Sequence, residues 1–420
     1  MHEKFNKESQ RQDLQWSRRD FLRQLGLAVL GMVIQPYPLL QAQQRTTHRS
    51  AMNSQSVTLF LCGDVMTGRG IDQILPHPSK PQLYEMYVKD VRDYVKLAER
   101  VNGPITKPVD FTYIWGDALA ELERKAPDLR IINLETAVTS SGKYMPKGIN
   151  YRMHAANVPC LTAAAIDCCV LANNHVLDWG QAGLKETLET LTKAGFKYAG
   201  AGRNLEEAQS PAVMVVPGKG RVVVFSFGSE TSGIGRDWRA TAKRSGVNFL
   251  PDLSEASVGN IAEQVKRNTQ PGDIVVASIH WGSNWGYHIP HDQREFAHAL
   301  IDFAGIDVVH GHSSHHVKGI EVYKDHPIIY GCGDFLNDYE GISGYEAYRD
   351  DLGLMYFPAL DPNTGRLMRF EMTPTRIKNL RVNYASHIEA QWLADVLNRE
   401  SKPYGTHVTL DDSNRLALHW

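Results

Sequence analysis

Short apolar runs closed by single polar residues recur along this chain. Residues 57–61, 129–134, 169–172, 274–279 and 308–310 are largely apolar runs rich in aliphatic and β-branched residues, and each is followed by a side chain that can offer oxygen or nitrogen as a ligand. In order, these are Asp64 after Gly63, Glu135, Asn174 with His175, His280, and the histidines of the stretch VVHGHSSHH that ends at His316. Runs of this length bounded by glycine and polar residues predict buried strands. Apolar positions at helical spacing predict helices over 84–100, 118–124, 162–166, 184–194, 206–209, 256–268 and 295–303. Further strands are expected at 198–199, 213–216 and 222–227. A hairpin joins 320–323 to 327–330, and a strand, a helix and a polar tail follow Phe370. Strand and helix take turns, so the class is α/β, with polar groups gathered beyond the carboxyl ends of the strands, where open sheets bind ligands.

Composition narrows the partners. The 420 residues carry Lys+Arg 45 against Asp+Glu 47, so neither a nucleic-acid groove nor a polybasic membrane face is expected. Cys62, Cys160, Cys168, Cys169 and Cys332 lack the even count and spacing of a disulfide framework and read as small buried hydrophobes. At the N-terminus, SRRDFLR (17–23) precedes a weakly apolar segment at 25–34 that is too brief to span a membrane comfortably. A basic pair before such a segment resembles a Tat export signal. Leu40 and Ala42 make a poor cleavage site, so the leader is expected to deliver the protein to the periplasm or cell envelope and can stay as an anchor. The expected organisation is a signal and linker over 1–56, one domain over 57–385 with an insertion at about 75–115, and a C-terminal helix and tail over 386–420.

The residue types at the strand ends carry the chemistry. Neutral imidazole is a common metal ligand, and mixed Asp, Glu, Asn and His donors suit Mn, Fe or Zn better than Ca or Mg. One or two divalent ions are therefore expected among Asp64, Glu135, Asn174, His280 and the histidine cluster. Arg69 and Arg152 are candidates for binding an anionic substrate, through bidentate contacts to a carboxylate or phosphate. Asp178 and Asp334 are expected to orient ligands from behind rather than to bind metal.

GDVM (63–66), INLET (132–136), ANNHVLDWG (172–180), SIHWG (278–282) and GHSSHHVKGIEVYKDHPIIYGCGDFLNDYEG (311–341) together resemble the CapA family of capsule or poly-γ-glutamate biosynthesis proteins. The resemblance implies a calcineurin-type metallophosphoesterase fold, a four-layer α/β/β/α sandwich with two mixed sheets between helices. It also implies that Asp64 binds a first metal, Glu135 bridges two metals, and Asn174, His280 and His312 hold the second, while His315 closes the first site. His175 is then free to protonate a leaving group or stabilise an oxyanion. Two departures stand out. The usual Asp-x-His of the first strand is Asp64-Val65-Met66, so the first metal loses an imidazole, and the bridging Asp is Glu135. His316 competes with His315, and His310 can point into the sheet. The function implied is an exported metal-dependent hydrolase acting on an anionic polymer or a phosphoester. The alternatives are a non-catalytic polyanion-binding component serving a membrane synthase, and a nucleotidase that is not exported.

Overall fold

The computed structural model describes residues 56–420, so the proposed leader lies outside the described residues. The strands of the two main sheets are β1 (Val57–Val65), β2 (Leu129–Leu134), β3 (Cys168–Val170), β4 (Lys197–Ala199), β5 (Ala212–Val216), β6 (Gly220–Ser229), β7 (Phe249–Leu250), β8 (Asp273–His280), β9 (Val308–His312), β10 (Ile320–Tyr323), β11 (His326–Ile329), β12 (Asp334–Leu336), β13 (Leu352–Leu360), β14 (Leu367–Ile377), β15 (Val382–Tyr384), β16 (His407–Leu410) and β17 (Leu416–His419). Helices are α1 (Arg69–Ile74), α2 (Arg92–Asn102), α3 (Asp117–Lys125), α4 (Pro159–Ala163), α5 (Gly180–Lys193), α6 (Leu205–Gln209), α7 (Glu255–Asn268), α8 (His291–Ala304) and α9 (His387–Ser401). The result is a mixed α/β protein.

The first sheet has ten strands, in the order β16-β17-β14-β13-β1-β2-β3-β4, with β12 beside β1 and β15 beside β14. From β1 to β4 the pairing is parallel, and from β1 through β13 to β16 it is antiparallel. The second sheet has seven strands, in the order β7-β6-β8-β9-β11-β10, with β5 beside β6; β6, β8, β9 and β11 run parallel. Leu59, Leu61, Ile131 and Val170 of the first sheet share one apolar core with Val222, Val224, Ile274, Val276 and Val308 of the second. Their alternate neighbours Phe60, Cys62, Ile132 and Leu134 pack instead with Trp115, Ala118, Leu122, Leu161 and Leu184 from the helical side. The period of two places these sets on opposite faces, which is why the β1 run is apolar almost throughout. All five cysteines are free and buried. Among the described residues no helix is long and apolar enough to cross a membrane.

Several elements differ from the sequence expectation. The helix expected over 84–100 is α2, which starts at Arg92: the Asp90 carboxylate accepts from the Arg92 backbone N–H at 2.9 Å, and the chain before it folds back, with Leu83 N–H on Lys89 O at 2.9 Å. The expected 162–166 helix is α4, which starts at Pro159 and is followed by Ala165 at φ 48°. The expected polar tail is the hairpin β16–β17, whose inner strand pairs with β14 through Met372 and Leu416. Leu393, Ala394 and Leu397 of α9 join the inter-sheet core, so 386–420 is built into the same fold as the strands before it.

Candidate metal centre

The first sheet supplies the oxygens. Asp64, 1% exposed, ends β1 opposite Asp334 of the parallel neighbour β12, and its backbone N–H donates to Gly333 O at 3.0 Å. That approach needs glycine at 63, and the turn before Asp334 favours glycine at 333. A Cβ on Gly63 would stand 1.7 Å from the Gly333 carbonyl oxygen, and Gly333 itself sits at φ 76°. A relay of amides then fixes the carboxylate: Asn133 Nδ2 donates to Asp64 Oδ1 at 2.7 Å, and Asn173 Nδ2 donates to Asn133 Oδ1 at 3.0 Å. Asn173 Oδ1 accepts the backbone N–H groups of His175 and Val176, holding the turn that presents Asn174 and His175. Glu135 follows β2 with its N–H on Val65 O.

The second sheet supplies the nitrogens. His280 and His312 lie opposite each other on β8 and β9, with their Nδ1 atoms 2.8 Å apart. Ser278, two residues before His280, meets His312 Nε2 at 2.8 Å and His310 Nδ1 at 3.1 Å, and His310 Nε2 contacts Cys62 O at 2.8 Å. His310 is therefore turned into the layer between the sheets. His315 has Nδ1 3.0 Å from Asp334 Oδ1 and Nε2 2.9 Å from Asn284 Nδ2. His316 turns away: its Nε2 accepts from the Gly286 N–H, and its ring stacks on Tyr348. Ser313, between His312 and His315, adopts φ 102°, a conformation that non-glycine residues hold only when their surroundings enforce it.

The two sets meet. One ligand atom from each of Asp64, His280 and His312 falls within 4.8 Å of the others, and the same holds for Asp64, His315 and Asp334, so Asp64 is common to both groups. Glu135 Oε1 stands 3.8 Å from His280 Nε2 and 3.9 Å from His175 Nε2. Asp64 Oδ2, Asn174 Oδ1 and His280 Nε2 are buried without hydrogen-bond partners. Burial, then the neighbouring Asp334, raises the Asp64 carboxyl to about 7, and burial with Asp64 raises Glu135. Burial lowers His280 and His312, keeping both imidazoles neutral. At His315 burial acts downward, but the Asp334 carboxylate outweighs it and the net shift is upward. Among the described residues, neither Asp64 nor Glu135 has a lysine or arginine within ion-pair distance. Buried carboxylates without a cation, neutral imidazoles and unpartnered acceptor atoms are what a divalent ion would satisfy, so the donor set fits a metal.

His175 is held beside this centre. Its Nδ1 is 2.6 Å from Asp178 Oδ2, its ring stacks on Tyr151 at 3.7 Å, and burial, opposed by Asp178, lowers it to about 4. Asp178 also accepts from the Tyr151 N–H at 2.6 Å and pairs with Lys147 Nζ at 2.7 Å. Lys147, whose ammonium contacts the Asn174 carbonyl and lies over Trp238, was not singled out from sequence. It sits in the loop-rich stretch 142–159, where no periodicity marks it. Asn133, Asn173 and Tyr151 were missed as well.

Neither arginine pairs with a residue of the two ligand groups, although Arg69 also lies over the Tyr151 ring at 4.8 Å, behind His175. Arg69, 4% exposed, binds Asp338 through Nε and Nη2 and Glu85 through Nη1 at 3.2 Å, and its guanidinium lies over Tyr94. Two carboxylates therefore already occupy the guanidinium in a buried ion-pair network. Arg152 donates to the carbonyls of Ser141 and Lys80 and lies over the Trp179 ring at 3.8 Å.

Residues 58–339, which contain both ligand groups, match the family described as bacterial capsule synthesis protein PGA_cap. The chain belongs to this family. A probable polyglutamine synthesis accessory protein of Mycobacterium tuberculosis is 48% identical over 370 residues, covering 88% of this chain and 97% of that protein. The capsule biosynthesis protein CapA of Bacillus anthracis is 27% identical over 286 residues, 68% of this chain and 61% of its own. The PGA biosynthesis protein CapA of Bacillus subtilis is 31% identical over 255 residues, 60% and 62% of the two chains. Membership of PGA_cap links the chain to capsule and polyglutamate synthesis.

Proposed function

We propose that this PGA_cap protein is a metal-dependent hydrolase exported to the cell envelope, where it trims or processes an anionic polyglutamate-type polymer or a phosphoester of its synthesis. The observation that carries the reading is the meeting of Asp64, Glu135, His280 and His312 beside His175, with buried acceptor atoms left unpartnered. The relatives' names support the polymer, the SRRDFLR leader supports export, and the two sheets sharing one core support the α/β/β/α sandwich of metallophosphoesterases. Asp64, Glu135, Asn174, His280 and His312 would hold one ion, and Asp64 with His315 a neighbouring one; Mn, Fe or Zn suits these donors. When bound, such ions supply Lewis-acid polarisation and an activated water.

The chain's own residues do the rest. Asp178 accepts the proton on His175 Nδ1, which fixes the tautomer and turns Nε2 toward Glu135 and the centre. From there Nε2 moves a proton to or from a reacting oxygen. Tyr151 packs on the imidazole and excludes water from one face. Lys147 balances Asp178 from a partly exposed position, and an anionic substrate approaching His175 would meet its ammonium. Turnover of poly-γ-glutamate, phosphomonoesters and phosphodiesters by protein loaded with Mn or Zn is the test; metal-loaded protein inert on all three would defeat the catalytic reading. The word "accessory" in the mycobacterial relative's name favours a second reading, a non-catalytic polymer-binding component; under it, His175→Ala leaves polymer formation unchanged.

A further inference from the structure

Resting on the metal-dependent reading above, we infer that Asp334 is itself a metal ligand, and that it completes, in oxygen, the site that Asp64 and His315 would form beside the one at His280 and His312. The family resemblance gives Asp334 no place at an ion and leaves the first metal short of an imidazole because Met66 stands where a histidine is usual. The geometry supplies a replacement. Asp334 is opposite Asp64 in parallel register, 2% exposed, and a backbone approach of Gly63 to the Gly333 carbonyl too close for any Cβ at 63 brings these two carboxylates together. Ligand atoms of Asp64, His315 and Asp334 all lie within 4.8 Å of one another.

Three further observations are those a ligating Asp334 requires. Asp64 Oδ2 is buried and unpartnered, so one acceptor of the group waits for a donor or a cation. Asn337 Nδ2 donates to Asp334 Oδ2 at 2.8 Å, which is how a ligating carboxylate is held from behind, and this leaves Oδ1 facing His315. The 3.0 Å between His315 Nδ1 and Asp334 Oδ1 is a hydrogen bond here, and it is also a separation at which both atoms can reach one ion through bonds of ~2.1 Å without either group moving far. Two carboxylates and one imidazole make a harder donor set than the two imidazoles of the neighbouring group, so this site would take Mn²⁺ in preference to a softer ion.

The experiment titrates Mn²⁺ into the full chain stripped of metal, following free Mn²⁺ and spin coupling by electron paramagnetic resonance, for the parent protein, Asp334→Asn and His315→Ala. Asparagine keeps an acceptor for His315 but removes the charge, so it separates ligation from orientation. Expected are two Mn²⁺ per parent chain with a coupled signal. Asp334→Asn and His315→Ala should each keep one ion at parental affinity, lose the coupling and show no second ion up to millimolar Mn²⁺. A second ion held by Asp334→Asn within roughly tenfold of the parent would overturn the inference. So would a single parental ion unaffected by the substitution, which leaves the hydrolase reading standing. No ion in the parent removes both. Unfolding midpoints of the variants identify any that fail to fold, and either variant alone decides the outcome.

Discussion

The two sheets contribute to the centre by different physical means. On the second sheet, His280 and His312 are placed by ordinary in-register pairing of two long parallel strands, and the serine two residues upstream of His280 holds the partner ring. Nothing there is strained until Ser313. On the first sheet the oxygens are placed by exceptions: a glycine contact no side chain could survive, an amide relay from Asn173 through Asn133, and carboxyls held above their ordinary range by burial. The nitrogen side is a consequence of regular structure. The oxygen side stores unfavourable electrostatics that a cation would relieve, so it should be the more sensitive to substitution and the more dependent on metal.

Breaking the oxygen side at its shared residue should have the largest effect. Asp64→Ala is expected to lose metal from both groups and at least ~10³ in turnover, because several kcal/mol of transition-state stabilisation disappear with it. His312→Ala should spare the Asp334 side, and equal metal loss in both variants by elemental analysis would erase the contrast. His175→Ala comes next, with a fall of about 10² to 10⁴ in turnover at unchanged metal content, the range of general acid–base catalysis. A loss of metal in that variant would make His175 a ligand instead. Gly63→Ala tests the close approach directly: forcing a methyl group against Gly333 should lower stability by about 1–3 kcal/mol or more in urea unfolding, and a neutral result would mean the carboxylates do not rely on that contact.

The smallest effect lies at the opposite end of the second sheet, where Asp307 precedes β9 and accepts from the Val275 N–H at 2.8 Å. Burial raises this carboxyl from 3.8 to about 7. The folded state therefore prefers the protonated form, and Asp307 contributes its stability fully below 3.8 and loses it as pH rises through about 7. Between about pH 5 and pH 8 the parent should lose about 1 kcal/mol or more relative to Asp307→Asn, the scale of one pKa unit, with metal content unchanged. Parallel stability curves for the two proteins would show that this carboxyl is not perturbed.

Much of the centre is visible in the sequence because each strand announces itself as an apolar run and each ligand follows the run. Asp64, His280 and His312, which the fold brings together, and Glu135 beside His280 all come from that one regularity. Asp334 does not, since its closeness to Asp64 is set by the register of strands far apart in the sequence and no local pattern encodes it. Lys147 escaped for the opposite reason: its loop has no period, and its role depends on the turn that Asn173 holds. Arg69 carried a substrate-binding expectation because an arginine in a glycine-rich loop is compatible with either role. Its fate was decided by Glu85 and Asp338, contributed from two other segments. The terminal hairpin was hidden because HVTL and LALH are only four residues each and alternate buried with less buried positions, a weak signal beside the acidic turn between them.

The central claim is that side chains from both sheets surround a common cation. Anomalous diffraction from crystals of the full chain, recorded at the Mn, Fe and Zn edges after soaking in each metal, tests it most directly. The account predicts a peak bounded by Asp64, Glu135, Asn174, His280 and His312. Crystals that show these side chains ordered and no anomalous density among them at any edge would contradict it.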